Sequence, residues 1–367
     1  MKVAMVTHYW KGSPGGGMRV YLEKLVEALA GLSVDTRVVF REGQDPSQYR
    51  VAVHRVFFPF LGYLALRKIS PDIIHTHDSW FCLLAGALHR WIHGSTLIHT
   101  FHSEPAGPAS PLQRWFFRLL QARCDGVTFV SEGLKEKLAE CYQVEFHHPA
   151  ITYAGAETPR VTPEQVKAFR DRFSLGKEAT ILLVQAFTAN RLKADGVRLL
   201  IRAVGELVPG YPHLMLVATR DGAFVPELKA YAGQMGMGDH VLFTGDVEDP
   251  SIPVAACDLF LHPWLGKSGV SLVILEAMAS CKPIIATSPG RESECLVHGK
   301  TGCLVAPEVH RVGEAVAYLL EHPRFAQEMG VAARRAAEER FTWARTARQF
   351  VDLYREFRPA EEPGHDR

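Results

Sequence analysis

Short apolar runs recur along this chain at intervals that leave room for one amphipathic helix between each pair, and this rhythm constrains the fold more than any other feature. VAMVTH, TRVVF, DIIHTH, TLIHTFH and GVTFVS follow one another between residues 3 and 131, separated by helical patterns such as Val20 to Ala30. Runs this short and this continuously apolar suit strands buried on both faces, and alternation with helices means a parallel sheet covered on either side. After about residue 160 the composition turns polar, at TPRVTPEQVKAFRDRFSLGKEA, and the rhythm restarts with TILLVQAF, HLMLVAT, HVLFTG, LFLHP, PIIAT and GCLVAP. The pattern predicts an α/β protein of two Rossmann-like, doubly wound domains, residues 1–165 and 166–345, facing each other across a cleft. Helices are expected at about 311–322 and 325–340. The segment FTWARTARQFVDLYREF carries an apolar stripe of Trp343, Phe350, Leu353, Tyr354 and Phe357 and holds a last helix, 346–358, and residues 359–367 read as a flexible tail.

Composition narrows the function classes. The 367 residues are 47% hydrophobic and 22% charged, ordinary for a globular chain with material for two domains. The longest apolar stretch, Val56 to Leu66, is interrupted by Pro59 and too short to span a bilayer, and MKVAMVTHYW reads as a first strand without a basic leader, so the expectation is a cytoplasmic protein. Seven scattered cysteines without a CxxC pair suggest free thiols. A net charge of +1 argues against nucleic acid as a partner, although residues 1 to 123 hold 14 Lys and Arg against 8 Asp and Glu.

Ligands of open parallel sheets bind beyond the carboxyl ends of the strands, so the loops after each run carry the candidates. SPGGG at 13–17 leads into the first helix, where glycines permit close backbone approach and helix-end amides attract a phosphate. A Gly-rich connection without ligand is the plain alternative. A dinucleotide fold is disfavoured because Val20 stands where the third fingerprint glycine belongs. In NRLKADG, Arg191 and Lys193 precede a helix, and together they would converge with its N-terminus on a diphosphate, unless both are simply solvated. HPWLGKSGVSLVILEAMASCKPIIAT runs from a strand through a small-residue loop into an apolar helix that carries Glu276. A carboxylate among apolar neighbours needs a partner: the two hydroxyls of a ribose, or a neighbouring loop that it caps.

Taken together, these clusters resemble the retaining GT-B glycosyltransferases of family 4, over nearly the whole chain. PGGGMRVYLEKLVEAL is similar to the family's first Gly-Gly loop and helix, DIIHTHDSW and TLIHTFHSEP to its histidine-bearing strand ends, and VILEAMASCKPIIAT with LVHGKTGCLV to its donor-domain signature. The resemblance implies a GT-B fold whose last helix crosses back to the N-terminal domain, and a nucleotide-diphosphate sugar co-substrate with neither cofactor nor metal. It also implies a glycan, lipid-linked or small-molecule acceptor. Gly16 and Gly17 would face the diphosphate, Arg191 and Lys193 would neutralise it, and Glu276 would take the ribose. Ser268, Gly269, Val270 and Ser271 would hold the donor sugar, and His102 would approach it. His102 read alone is equally a satisfied strand-end histidine. Arg19, His77 and Asp78 would line the acceptor side.

Two departures stand out. Family members carry two glutamates eight apart, and Ser268 occupies the first of those positions; GVS replaces the common GFG after it. Ala154 replaces an asparagine. These changes keep open a degenerate protein that binds a nucleotide or a partner without catalysis, or a nucleotide-sugar epimerase, recognised by an isomerised product formed without acceptor.

Arg114, Trp115, Phe116, Phe117, Arg118 and Arg123 form an aromatic and basic helical segment near the aromatic-rich VFFPFLGYLALRK. Such a surface would rest peripherally on anionic membrane, or its aromatics are core with arginines at the rim. His89 and His93 stand four apart with Arg90 where a zinc-protease helix has Glu, so no metal site is assigned.

Overall fold

The structure is a computed structural model that describes residues 1–14, 16–105, 107–266, 270–287 and 292–358. The chain forms two compact units, the first of residues 1 to 154 plus the chain from Trp343 onward, the second Gly155–Thr342.

Unit 1 runs β1 (Lys2–Tyr9), α1 (Gly16–Ala30), β2 (Asp35–Glu42), β3 (Tyr49–Arg50), α2 (Phe58–Ile69), β4 (Ile73–His77), α3 (Trp80–His93), β5 (Thr96–Phe101), α4 (Pro111–Gln121), β6 (Gly126–Phe129), α5 (Glu132–Tyr142) and β7 (Pro149–Ile151). Its sheet is parallel, in the order β3-β2-β1-β4-β5-β6-β7. Strand order reverses between β1 and β4, which opens a crevice at their carboxyl ends. All of β4, β5 and β6 is buried. Helices cover both faces, and this is why those runs show no alternation.

Unit 2 contains α6 (Pro163–Arg172), β8 (Thr180–Gln185), α7 (Arg191–Leu207), β9 (Leu214–Thr219), α8 (Val225–Gln234), β10 (Val241–Gly245), α9 (Ser251–Ala256), β11 (Leu259–His262), α10 (Leu272–Ala279), β12 (Ile284–Thr287), β13 (Cys303–Val305), α11 (Val309–Glu321) and α12 (Pro323–Arg340). Its parallel sheet has the order β10-β9-β8-β11-β12-β13, with the reversal between β8 and β11. Leu182, Leu216, Val197, Ile201, Leu261 and Val316 lie in its core. Full burial of each such side chain stabilises by about 1.5–3 kcal/mol.

The junction expected at 165/166 falls at 154/155, and the return expected at 346 falls at Trp343. Polarity misplaced the first boundary: α6 is solvent-washed, yet it packs on α9 of unit 2 and is opened by a capping box between Thr162 and Gln165. The final helix, α13 (Trp343–Phe357), lies against α1 within unit 1. Its Phe350 and Tyr354 are wholly buried, Thr346 Oγ1 donates to Tyr153 O at 2.8 Å, and the Phe357 carbonyl accepts from Thr96 Oγ1 at 2.9 Å. Gly126 is a glycine because a Cβ there would stand 2.7 Å from the Phe357 ring. The tail expected at 359–367 lies outside the described residues.

Candidate active site

Each sheet brings a cluster of polar side chains to its carboxyl edge. In unit 1, α1 begins at Gly16, four residues earlier than the apolar pattern suggested, and Gly16 takes a φ of +57°, a left-handed conformation that side chains disfavour. The first-turn amides after Gly16 and Gly17 have no intrahelical partner. Arg19 is turned along its own helix toward Glu23, 3.8 Å away.

His77 and Asp78 end β4, and His102 follows β5, the neighbouring strand. The three come together. His77 Nδ1 lies 3.0 Å from His102 Nε2, and Asp78 Oδ1 accepts the backbone N–H groups of His102 (3.0 Å) and Ser103 (3.1 Å). Ser103 Oγ donates to the second Asp78 oxygen at 2.7 Å. Two expectations change here. His77 has no exposed surface and so cannot itself meet an acceptor in this structure, and the half-buried Asp78 carboxylate accepts from the loop after β5 on both oxygens. Burial lowers the pKa of His102 to about 4 against a smaller opposing pull from Asp78, and burial likewise holds His75 and His77 well below the ordinary value. All three rings are therefore neutral near pH 7. His75 hydrogen-bonds the Tyr354 hydroxyl and Thr100 Oγ1, each at 2.6 Å, tying the strand to α13. Tyr21 presents its ring edge to His102 at 4.6 Å, a neighbour the sequence did not flag because it sits among ordinary helix-core residues.

In unit 2, Asn190 caps α7 by accepting the Lys193 amide at 3.1 Å, so Arg191 and Lys193 lie inside the first turn rather than ahead of it. They do not converge. Arg191 is exposed and paired with Asp195 (3.3 Å) and Glu227 (3.2 Å). Lys193 folds the other way, its Nζ donating to the Ala186 carbonyl at 3.1 Å and standing 5.6 Å from the Phe187 ring centre. Its pKa is lowered by burial first and by the Arg220 charge second. Arg220, just past β9 with a φ of +76°, is thus the cation beside Lys193; an arginine in a strand-end loop carries no sequence signal of its own. His262, at the end of β11, is lowered to about 3 by burial and then by Lys193, so it is neutral.

Glu276 sits on α10, half-buried, with Gln185 Nε2 of β8 donating to it at a long 3.4 Å. Burial alone pushes its pKa up to about 7. Ser271 caps α10 without a side-chain bond to the helix, and Val270 before it is buried. Ser268 and Gly269 lie outside the described residues. Gln185 Oε1, Thr219 Oγ1, His262 Nδ1 and Trp264 Nε1 are buried polar atoms with no partner among the described residues, all at or just beyond strand ends of one sheet. Native interiors satisfy such atoms, so this sheet edge has hydrogen-bonding capacity to offer a polar ligand. Gly196 lets α7 approach closely, since a Cβ would sit 2.1 Å from the Pro263 carbonyl oxygen.

A family model described as Glycosyltransferase Family 4 matches residues 15–160, and one described as Glycosyl transferases group 1 matches residues 178–322. The chain belongs to glycosyltransferase family 4. Among curated relatives of this family 4 glycosyltransferase is the GDP-mannose-dependent alpha-(1-6)-phosphatidylinositol monomannoside mannosyltransferase of Mycolicibacterium smegmatis, 27% identical over 369 residues, spanning 92% of this chain and 94% of the relative. Among solved structures, a glycosyltransferase from Rickettsia africae superposes with a TM-score of 0.83 at 16% identity, covering 98% of this chain and 100% of the other. HepE from Anabaena, in complex with UDP-glucose, gives 0.80 at 17% identity, covering 97% and 100%. The GT-B fold of the family 4 enzyme is thereby shown, and its two parallel sheets are those described above.

The aromatic and basic segment divides between the two readings given to it. Phe117 stacks on Tyr142 at 3.8 Å and Phe116 faces Trp80, whereas Leu112, Trp115 and Leu119 are 71%, 60% and 43% exposed on one face of α4. Among the described residues no helix is long and apolar enough to cross a membrane, and no group of three His, Cys, Asp or Glu side chains could hold a metal ion. His89 and His93 instead bond Ser95 and Tyr63.

Proposed function

We propose that this glycosyltransferase holds a nucleoside-diphosphate hexose at the carboxyl edge of the unit 2 sheet and transfers the hexose, with retention at the anomeric carbon, to a lipid-linked acceptor at an anionic membrane. The observation that carries the donor assignment is Glu276. A carboxylate kept half-protonated near pH 7 by burial, with one long bond from Gln185, has acceptor capacity to spare, and two ribose hydroxyls fill it.

Transfer builds positive charge at the anomeric carbon and negative charge on the departing phosphate. Lys193 and Arg220, with the uncapped amides of α10 at Ser271, supply fixed positive potential for the second charge, so the chain needs no metal for it. Retention follows from attack on the leaving-group face, where a phosphate oxygen takes the acceptor's proton. His102, neutral in the ground state, offers a hydrogen-bonding group at the carboxyl edge of the unit 1 sheet.

GDP-mannose is the first donor to try, because the mycolicibacterial relative is named for it. Melting temperature measured with GDP-mannose, UDP-glucose and ADP-glucose, each against its free nucleotide, tests the proposal. A rise with one sugar nucleotide beyond that of its nucleotide supports it, and an added chelator leaves the rise unchanged. No rise with any of them refutes it.

The acceptor assignment rests on α4 and its neighbours. Right-handed crossovers between parallel strands set the helices antiparallel to the sheet, so the first turns of α2, α3 and α4 share its carboxyl end. Phe57 and Phe60 flank the start of α2 with 64% and 62% exposure, exposed Arg55 precedes it and Trp80 opens α3, while exposed Arg118 and Arg123 lie toward the far end of α4. Aromatic anchors beside cations suit an anionic interface, where each Lys or Arg contributes about 1 kcal/mol. Cosedimentation with phosphatidylglycerol vesicles, weakened by salt and by Trp115→Ala together with Leu112→Ala, is the expected result. Equal recovery with purely phosphatidylcholine vesicles counts against it.

A further inference from the structure

His77 has no exposed surface, yet both its ring nitrogens are engaged. Nε2 faces the Met5 sulfur of β1 at 3.5 Å, and Nδ1 faces His102 Nε2 at 3.0 Å. A thioether sulfur carries lone pairs and no hydrogen, so toward a ring nitrogen it only accepts. The single proton of neutral His77 therefore belongs on Nε2. Placed on Nδ1, it would leave two sets of lone pairs facing each other in a dry contact. Nδ1 is then bare and must accept, and the hydrogen it accepts is the one on His102 Nε2. The His102 proton being committed there, its Nδ1 is the unprotonated nitrogen, and no described residue bonds it.

We infer that His77 is a positioning residue which, backed by Met5, fixes His102 in the Nε2–H tautomer and so presents His102 Nδ1 as a hydrogen-bond acceptor to a substrate hydroxyl. Asp78 holds the backbone of the same residue, and Tyr21 bounds the ring at 4.6 Å, so the tautomer and the place of the imidazole are set by different groups. Burial keeps both rings neutral, and a relay that depends on a lone pair at each step requires this. The family resemblance made His77 an acceptor-side candidate; its burial and two contacts assign it a different task. The inference rests on the proposed sugar transfer, with His102 meeting a substrate hydroxyl.

Long-range proton–nitrogen correlation NMR on the full chain labelled with ¹⁵N-histidine reads the tautomer directly between about pH 6 and pH 8. His102 and His77 are both expected to show a protonated Nε2 and a bare Nδ1; His102→Ala identifies the His102 signals. A protonated Nδ1 on His102, or exchange between both forms, overturns the relay. Substitution adds a kinetic arm with GDP-mannose as donor. His77→Gln offers an amide oxygen to the His102 N–H and is expected to keep turnover within about threefold. His77→Leu offers nothing and is expected to lower kcat about 10- to 100-fold while the donor KM stays within about twofold. Equal kcat in the two variants overturns the relay. Should His102→Ala leave turnover intact while the tautomers read as expected, the placement of His102 at a substrate hydroxyl fails and the relay between the rings stands.

Discussion

Glu276 gives the sharpest quantitative expectation. Its pKa of about 7, against an ordinary 4.5, means that about a tenth of the carboxyl is ionised at pH 6 and about nine-tenths at pH 8. Ribose hydroxyls bond the carboxylate more strongly than the acid, so donor affinity should rise about tenfold across that interval, and binding at pH 6 should release nearly one proton. Calorimetry in two buffers of different ionisation enthalpy counts that proton, and at pH 8 the count should approach zero. Stability moves the opposite way. The folded state holds the Glu276 proton more tightly than the unfolded chain does, so the contribution is present in full below about pH 4.5 and is lost as pH rises to about 7. Integrated over the shift this is at most about 3 kcal/mol, less after allowance for solvent reaching a half-buried group. Glu276→Gln carries no ionisation, so it should unfold at higher denaturant than the parent at pH 8, match it near pH 5, and bind the donor weakly at both. Parental affinity that is flat from pH 6 to pH 8 with no proton released would refute the reasoning, as would a Gln variant that binds as tightly as the parent.

Two further substitutions separate residues that the sequence treated alike. Lys193→Ala should weaken the sugar nucleotide about 10- to 150-fold, the value of a lost charged hydrogen bond of about 1.5–3 kcal/mol, whereas Arg191→Ala, removing exposed pairs to Asp195 and Glu227, should change it less than about twofold; equal effects in a binding titration would return Arg191 to the donor site. Gly196→Ala lies inside α7, where alanine is favoured by about 1 kcal/mol, but its Cβ would meet the Pro263 carbonyl at 2.1 Å, so urea unfolding should show a net loss of about 1–3 kcal/mol and any gain would contradict the close approach.

The sheets were legible because each long strand is buried on both faces and so writes an unbroken apolar run. β3 and β7 were not, since Tyr49–Arg50 and Pro149–Ile151 are too short and too exposed to leave a pattern. The start of α1 was hidden by glycines that favour no helix, although the helix includes Gly16 and Gly17. The sequence named Lys193, Glu276 and His102 as candidates but said nothing of the direction of their side chains. Arg191 and Lys193 are two residues apart, and on a helix that separation turns side chains to different sides, one toward carboxylates and the other toward a carbonyl. Asp78 and Arg220 depend on backbone turns with positive φ that bring distant loops into register, information that no local window contains.

The return of α13 to unit 1 has a consequence for synthesis. Unit 2 is inserted in the covalent path of unit 1, so a ribosome delivers β1 through β7, then all of Gly155–Thr342, and only afterward the helix that supplies Tyr354 and Phe350 to His75 and Trp343 to Tyr21 of α1. At about 5–20 residues per second, that interval lasts on the order of 10–40 s. Throughout it the nascent first sheet exposes a histidine-lined apolar face awaiting its cover, while the later-made half can already close its own core. Order of completion is thus reversed relative to order of emergence, and the face of α1 is the place where a nascent-chain chaperone would find its grip.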